Sequence, residues 1–331
     1  MQEQRGSVKP AARQWNLTHP LAVVLLAGLC NLLWGSAIPM INTGYRLFGI
    51  QSGQTATQIL FAGCRFFLAG LLTIVFASIG RRRLVLPKRE SLGNVARLAL
   101  VQTVTQYVFF YIGVANTQSV KGAIIQGLNA FMSMLIACWV FRTERMDARK
   151  WLGGVLGVLG VVLVNWDGSS LGGGMRLTGE GFLMISMLAS AVSAGLIKRY
   201  GQTDDPVPLS GCQFMLGGLV MIACGLAAGG RLEQISVPAV GVLLYLAMLS
   251  AVAYTLWAVL LRVNPVSRVA VFMFLQPVFG VLLSILLVDG TQNVPLARYG
   301  VALVSVCLSI AIINRSQGRT HAGCAGKSAA D

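Results

Sequence analysis

Apolar residues run in long stretches along this chain and are broken at intervals by short polar loops. A helix that crosses a bilayer needs about 20 mostly apolar residues. On that length the pattern predicts spans near 20–43, 54–79, 93–115, 119–140, 149–165, 179–199, 207–228, 238–261, 266–288 and 296–313. Pro20, Pro206, Pro208, Pro238 and Pro265 fall at the predicted helix starts, where a missing backbone N–H costs little. Asp167 to Leu177 (DGSSLGGGMRL) is the most linker-like stretch and divides the chain almost in half. The expected fold is an all-α integral membrane protein of ten transmembrane helices. It has a tail over 1–19, a five-helix unit over 20–165, a linker over 166–178, a second five-helix unit over 179–314 and a tail over 315–331.

Composition sharpens the choice of solvent. The chain is 55% hydrophobic and only 11% charged, whereas a soluble domain carries about 25% charged residues. Its net charge of +15 invites a nucleic-acid reading, but Lys and Arg sit in short loops between apolar runs and not on one face of a soluble module. Those loops give the topology. Alternate loops and both tails hold clusters such as Arg81, Arg82, Arg83, Lys88, Arg89 and Arg97, or Arg142, Arg145, Arg149 and Lys150. The intervening loops hold one basic residue each: Arg46, Lys121, Arg176, Arg231 and Arg298. The positive-inside rule therefore places both termini in the cytoplasm, and one missed span would invert every later loop. Residues 1–19 are basic and polar, as before a signal sequence, but the apolar run after Pro20 is too long for a signal-peptide core. Cys30, Cys64, Cys138, Cys212, Cys224 and Cys307 lie inside apolar segments without CxxC spacing, so they read as small buried hydrophobes. No cofactor or metal is expected.

The two halves resemble each other. Gly63–Leu71 reads GCRFFLAGL and Gly211–Leu219 reads GCQFMLGGL, and nearly the same offset brings Tyr107 onto Tyr254 and Asn129 onto Gln276. Repetition at a constant offset points to duplication. Five spans is an odd number, so the second half begins on the opposite face of the membrane. Inverted repeats of this kind are a recurrent plan of transporters, with the site at the midplane between the halves.

Three stretches carry a family resemblance: Leu32-Leu33-Trp34-Gly35-Ser36, Cys64-Arg65-Phe66-Phe67-Leu68-Ala69-Gly70 and Leu275-Gln276-Pro277-Val278-Phe279-Gly280. In their order and spacing the chain resembles the EamA-type branch of the drug/metabolite transporter superfamily. The resemblance implies a ten-helix secondary exporter or exchanger of small metabolites such as amino acids, in a bacterial inner membrane. Its partners would then be a small-molecule substrate and the lipid bilayer, with no nucleic acid; homo-oligomerisation stays open. The family often has Glu just after helices 4 and 9. Glu144 matches the first position and Asp289 stands at the second, and a loop acid of this kind reads as structural.

Polar side chains inside a bilayer are costly and need a partner or water. The candidates for a central cavity are Asn31, Trp34, Arg65, Gln102, Gln106, Tyr107, Gln126, Asn129, Tyr254, Trp257 and Gln276, with Ser133, Ser186, Ser190, Ser193 and Gln213 as further polar groups. Trp34, Tyr107, Tyr254 and Trp257 suit its wall, each with an apolar body and one polar handle. The competing reading makes these groups packing glue between helices. Arg65 is the one charge well inside a span. It either counters a substrate carboxylate or phosphate or satisfies helix-end carbonyls. No Asp, Glu or His lies mid-span, which favours uniport or exchange over coupling through a buried carboxylate. Gly153, Gly154, Gly157 and Gly160 read as close helix packing, since no GxxxxGK[ST] occurs. A membrane enzyme would need a convergent nucleophile, acid–base pair or metal cluster, and none is visible. A lipid-precursor flippase, or a membrane protein without metabolite transport, remains as the alternative.

Overall fold

A computed structural model describes residues 17–51, 53–117, 119–165, 176–287 and 300–314. The tails, most of the linker and Asp289 lie outside the described residues. Among the described residues there is no strand. The helices are α1 (Pro20–Phe48), α2 (Thr55–Arg81), α3 (Arg89–Ala115), α4 (Ser119–Trp139), α5 (Ala148–Asn165), α6 (Leu177–Tyr200), α7 (Pro206–Ala227), α8 (Val237–Val263), α9 (266–287) and α10 (Gly300–Asn314). Six of them, α1, α2, α3, α6, α7 and α8, are long and apolar enough to cross a membrane; Ile124–Trp139, Val266–Gly280 and Gly300–Asn314 are shorter apolar helices.

Helix ends follow local chemistry. Pro20 opens α1, and Gly49, with φ of 71°, closes it: its N–H reaches the Arg46 carbonyl and the Ile50 N–H reaches Tyr45. Asp205 caps α7 by accepting from the Val207 N–H at 3.0 Å, and Ser236 caps α8 through the Ala239 N–H. Arg46 and Arg262 lie within α1 and α8, beyond the ends at 43 and 261 that the hydropathy pattern set. Only Asn264 and Pro265 separate α8 from α9.

Three helices depart from regular geometry, and α6 does so at its start, where Leu177–Gly181 is π-helical. In α9 the segment Val271–Phe274 is a 3₁₀ turn between Val266–Ala270 and Leu275–Leu287. Pro277 accounts for it, because it has no N–H to offer Met273 and its ring crowds that carbonyl. In α3 the residues Ala99–Thr105 form a π-helical stretch, whose wider turn puts Gln102 and Tyr107, five apart, on one face.

The most extensive packing is α2 against α7, and it is built on glycine. A Cβ on Gly63 would lie 2.7 Å from the Ile222 nitrogen and 3.0 Å from the Gly218 oxygen; one on Gly70 would lie 2.6 Å from the Met215 nitrogen and hard against the Gly211 carbonyl. Gly63 thus meets Gly218 while Gly70 meets Gly211, so the two helices run antiparallel. Around this crossing α1 packs on α8 and α9, α6 packs on α3 and α4, α2 touches α8 and α7 touches α3. Gly153, Gly154, Gly157 and Gly160 place α5 against Ile313, Phe131, Phe274 and Val306, as their spacing suggested.

The polarity is that of a protein inside out. Leu25, Leu159 and Val304 are half or more exposed, while Arg65 is 2% and Gln213 1% exposed. Cys30 and Cys138 are buried, but Cys224 and Cys307 lie exposed, which corrects the reading of all six as buried. A bilayer makes this possible, since an outward thiol or leucine there meets hydrocarbon.

Loops at one end are held by ions and caps. Arg81 pairs with Asp205, and Asp204 accepts from Ser91 and from the Asn94 amide at 2.9 Å. Glu144 accepts from the Ser267 N–H at 3.1 Å at the start of α9, from the Ser267 hydroxyl, and from Lys150 at 2.9 Å. Lys150 and Glu144 are both nearly buried, and a buried pair is costly to break from one side. Glu144 therefore ties the α4–α5 turn to α9, in line with a structural role for this acid.

Two outcomes follow. Gly70→Ala should lose about 1–3 kcal/mol, because the new methyl strikes backbone that cannot yield, whereas Gly80→Ala, with nothing within 4 Å, should be neutral; thermal unfolding in detergent compares them. At Asp205, burial pushes the pKa up, but the bonds from Arg81 and Val207 and the Arg81 charge outweigh it and hold the carboxyl below its ordinary value. Its contribution is present above the unfolded-state value of about 3.9 and is lost as pH falls through the folded-state pKa. Asp205→Asn should lower the melting temperature at neutral pH and flatten its fall in acid.

Candidate functional site

The helices leave a cavity of about 110 Å³ between them, several times what one water requires. Its wall is assembled from side chains that would be expensive against lipid. From α1 come Trp34, Ala37 and Ile41, and from α2 Arg65. From α3 come Gln102, Gln106, Tyr107 and Phe110, brought to one face by the wide turn; from α4 come Gln126, Asn129 and Ser133. From α6 come Met187, Ser190, Ser193, Ala194 and Ile197, from α8 Tyr254 and Trp257, and from α9 Met273 and Gln276 beside the Pro277 break.

Of the sequence candidates, Trp34, Arg65, Gln102, Gln106, Tyr107, Gln126, Asn129, Tyr254, Trp257 and Gln276 all line this space. Asn31 does not. It sits one turn below Trp34, fully buried, with its amide turned back onto the Ala27 carbonyl at 2.7 Å. Ser186 is also spent on packing, donating to the Gln106 carbonyl. Phe110, Met187 and Met273 escaped notice because an apolar residue in an apolar span carries no signal; for Met273 the helix-breaking Pro277 four residues on was the available clue.

Aromatic rings form the centre. The Trp34 ring centroid lies 5.0 Å from those of Tyr254 and Trp257. Tyr107 and Tyr254 share a hydrogen bond through their hydroxyls. Behind them Phe66 packs on Tyr107 at 4.3 Å, Phe214 on Tyr254 at 5.0 Å, and Phe66 stacks on Phe214 at 5.5 Å. The four residues come from the repeated positions of the two halves.

Polar contacts follow the same rule with one difference. Arg65 Nε donates to Ser250 Oγ at 2.9 Å, and its guanidinium lies 5.2 Å from the Phe66 centroid. The bonded group is a mid-helix hydroxyl of α8, not a helix-end carbonyl. At the equivalent place in the second half, Gln213 accepts from Thr103 Oγ1 at 2.8 Å and donates to Gln102 Oε1 at 3.1 Å. Thr103 and Ser250 are themselves separated by the repeat offset. Asn129 Nδ2 donates to Ser190 Oγ at 3.0 Å across the α4–α6 contact. Trp34 Nε1 and Gln106 Oε1 are buried without a hydrogen-bond partner among the described residues. No cluster of three metal-ligating side chains occurs among the described residues.

Residues 21–166 and 177–315 each match the model of the EamA-like transporter family. The chain is 27% identical over 305 residues to an uncharacterized transporter of Synechocystis sp., covering 86% of this chain and 87% of that one. It is 24% identical over 263 residues to the uncharacterized inner membrane transporter YedA of Escherichia coli, covering 76% and 78%. A WAT1-related chloroplastic protein of Arabidopsis thaliana is 25% identical over 262 residues, 75% of this chain and 61% of that one. A crystal structure superposes with a TM-score of 0.73 over 90% of this chain and 99% of its own, at 14% identity, a likeness of fold.

Gln213 marks the boundary between wall and scaffold, since it is buried but outside the cavity. Gln213→Leu should destabilise the protein by about 1–3 kcal/mol by leaving Thr103 and Gln102 unsatisfied, a loss readable as a lower unfolding midpoint in detergent.

Proposed function

Because the chain belongs to the EamA-like transporter family, we propose that it moves small polar metabolites across a membrane by alternating access around the cavity. The observation that carries this reading is the convergence of amides, hydroxyls and Arg65 from six helices on one space. Side chains used only to glue helices together would be scattered along separate contacts.

The arrangement behind it is ten spans in two inverted five-helix halves. The antiparallel glycine crossing of α2 and α7 supports it. So does the pairing of helices, in which α1 on α8 answers α6 on α3, and α1 on α9 answers α6 on α4. In this arrangement the linker joins the halves, both termini are cytoplasmic, and the membrane is the bacterial inner membrane, the location named for YedA. Amino acids and related compounds are the substrates that the family resemblance suggests, carried by export or exchange. With no carboxylate on the cavity wall, uniport or exchange fits better than proton coupling through a buried acid.

Tyr107→Ala, Gln126→Ala and Asn129→Ala, tested singly in proteoliposomes, should each reduce flux roughly 3- to 10-fold, the value of one hydrogen bond, while membrane expression is kept. Undiminished flux in all three would remove the cavity from the pathway, and strict dependence on a pH gradient would remove the uncoupled mechanism.

A further inference from the structure

The two halves place the same kind of group at one position, and only one of them is charged. Gln213 completes the second half's contact with Thr103 and adds a bond to Gln102 without any charge. A neutral amide therefore suffices for the structural task at this site. Arg65 makes the matching bond to Ser250 through Nε, lies over the Phe66 ring, 5.2 Å from its centroid, and interacts with the Tyr111 hydroxyl. Its cationic head lines the cavity, and among the described residues no carboxylate pairs with it.

A buried cation without a counter-charge is expensive in a medium of low dielectric, and the neutral contacts of Arg65 with Ser250, Phe66 and Tyr111 supply no negative charge. A ligand anion would. Two residues of the wall carry a buried atom without a partner, Trp34 Nε1, a donor, and Gln106 Oε1, an acceptor, which a shift of either side chain would bring to a ligand. A carboxylate accepts from the guanidinium and from the indole N–H, and one hydroxyl or amide N–H on the ligand would answer Gln106.

Building on the transporter reading but departing from amino acids as its substrates, we propose that Arg65 makes this cavity selective for small monoanionic carboxylates carrying one neutral hydrogen-bond donor, over zwitterions and cations. A free ammonium group would enter a cavity that already holds a cation and has no carboxylate on its wall. A phosphate monoester carries about −1.5 to −2 charges, more than one guanidinium neutralises. The complex of Arg65 with a monoanion has no net charge, which suits the middle of a bilayer.

The test holds the ligand's body constant and changes its head. Binding of 3-phenyllactate, phenylalanine, phenethylamine and phenyl phosphate to the purified protein is measured by thermal shift and by intrinsic tryptophan fluorescence, with lactate, alanine and ethylamine as a smaller series. The carboxylate monoanion of one series should bind best, and Arg65→Gln, which copies the second half, should weaken it about 30-fold or more while Arg65→Lys retains part of it. Equal or tighter binding of the zwitterion, cation or phosphate by the native protein would overturn the proposal, as would unchanged anion binding in a folded Arg65→Gln protein or no anion binding at all. If Arg65→Gln does not fold, the head-group ranking of the native protein decides. Flux of the same compounds in liposomes separates the two readings. Phenylalanine carried without anion binding would leave transport standing and refute anion selectivity; anion binding without flux of any compound would do the reverse.

Discussion

Inside a bilayer there is no bulk water to satisfy an amide, a hydroxyl or a guanidinium, so every such group has to meet another or face an aqueous pocket. The interior of this protein is ordered by that demand. Thr103, Gln213 and Gln102 close a chain of hydrogen bonds among themselves, Asn129 meets Ser190, and Arg65 meets Ser250. Some buried atoms find no partner among the described residues, and Asn31 Oδ1, Thr255 Oγ1 and Asn314 Oδ1 are of this kind away from the cavity wall. Trp34 Nε1 and Gln106 Oε1 are left over at the cavity wall, where a hydrated or occupied space can serve them.

Six helices long and apolar enough to cross a membrane could be read from the sequence, because length and hydropathy are direct consequences of bilayer thickness. Polar wall residues could be read for a related reason, since Gln126, Asn129 or Tyr107 within an apolar run stands against a strong background. Asn31 met the same criterion and went elsewhere, because a short amide can also turn back to the carbonyl four residues before it. That choice depends on rotamer and neighbours, which hydropathy does not encode. Phe110, Met187 and Met273 are indistinguishable from lipid-facing residues until the helices are placed. The π stretch in α3 was equally hidden: Ala99–Thr105 contains neither proline nor glycine to mark it.

Repetition did more than suggest duplication. Phe66, Tyr107, Phe214 and Tyr254 are unremarkable one at a time, yet the offset that relates them also brings them into a single aromatic cluster. The place where the repeat fails, arginine against glutamine, then becomes informative, because matched surroundings make one half a control for the other. Few chains offer such an internal comparison.

The α2–α7 crossing has a mechanical consequence. Backbone touches backbone there, with the side chains of Ile74, Met215 and Ile222 close beside it, so the helices can pivot at the contact more easily than they can part or slide. α2 is 27 residues long, about 40 Å at the usual rise per residue, and the contact lies near its middle. A turn of about 10° would leave the fulcrum in place and carry the ends of such a lever roughly 3–4 Å.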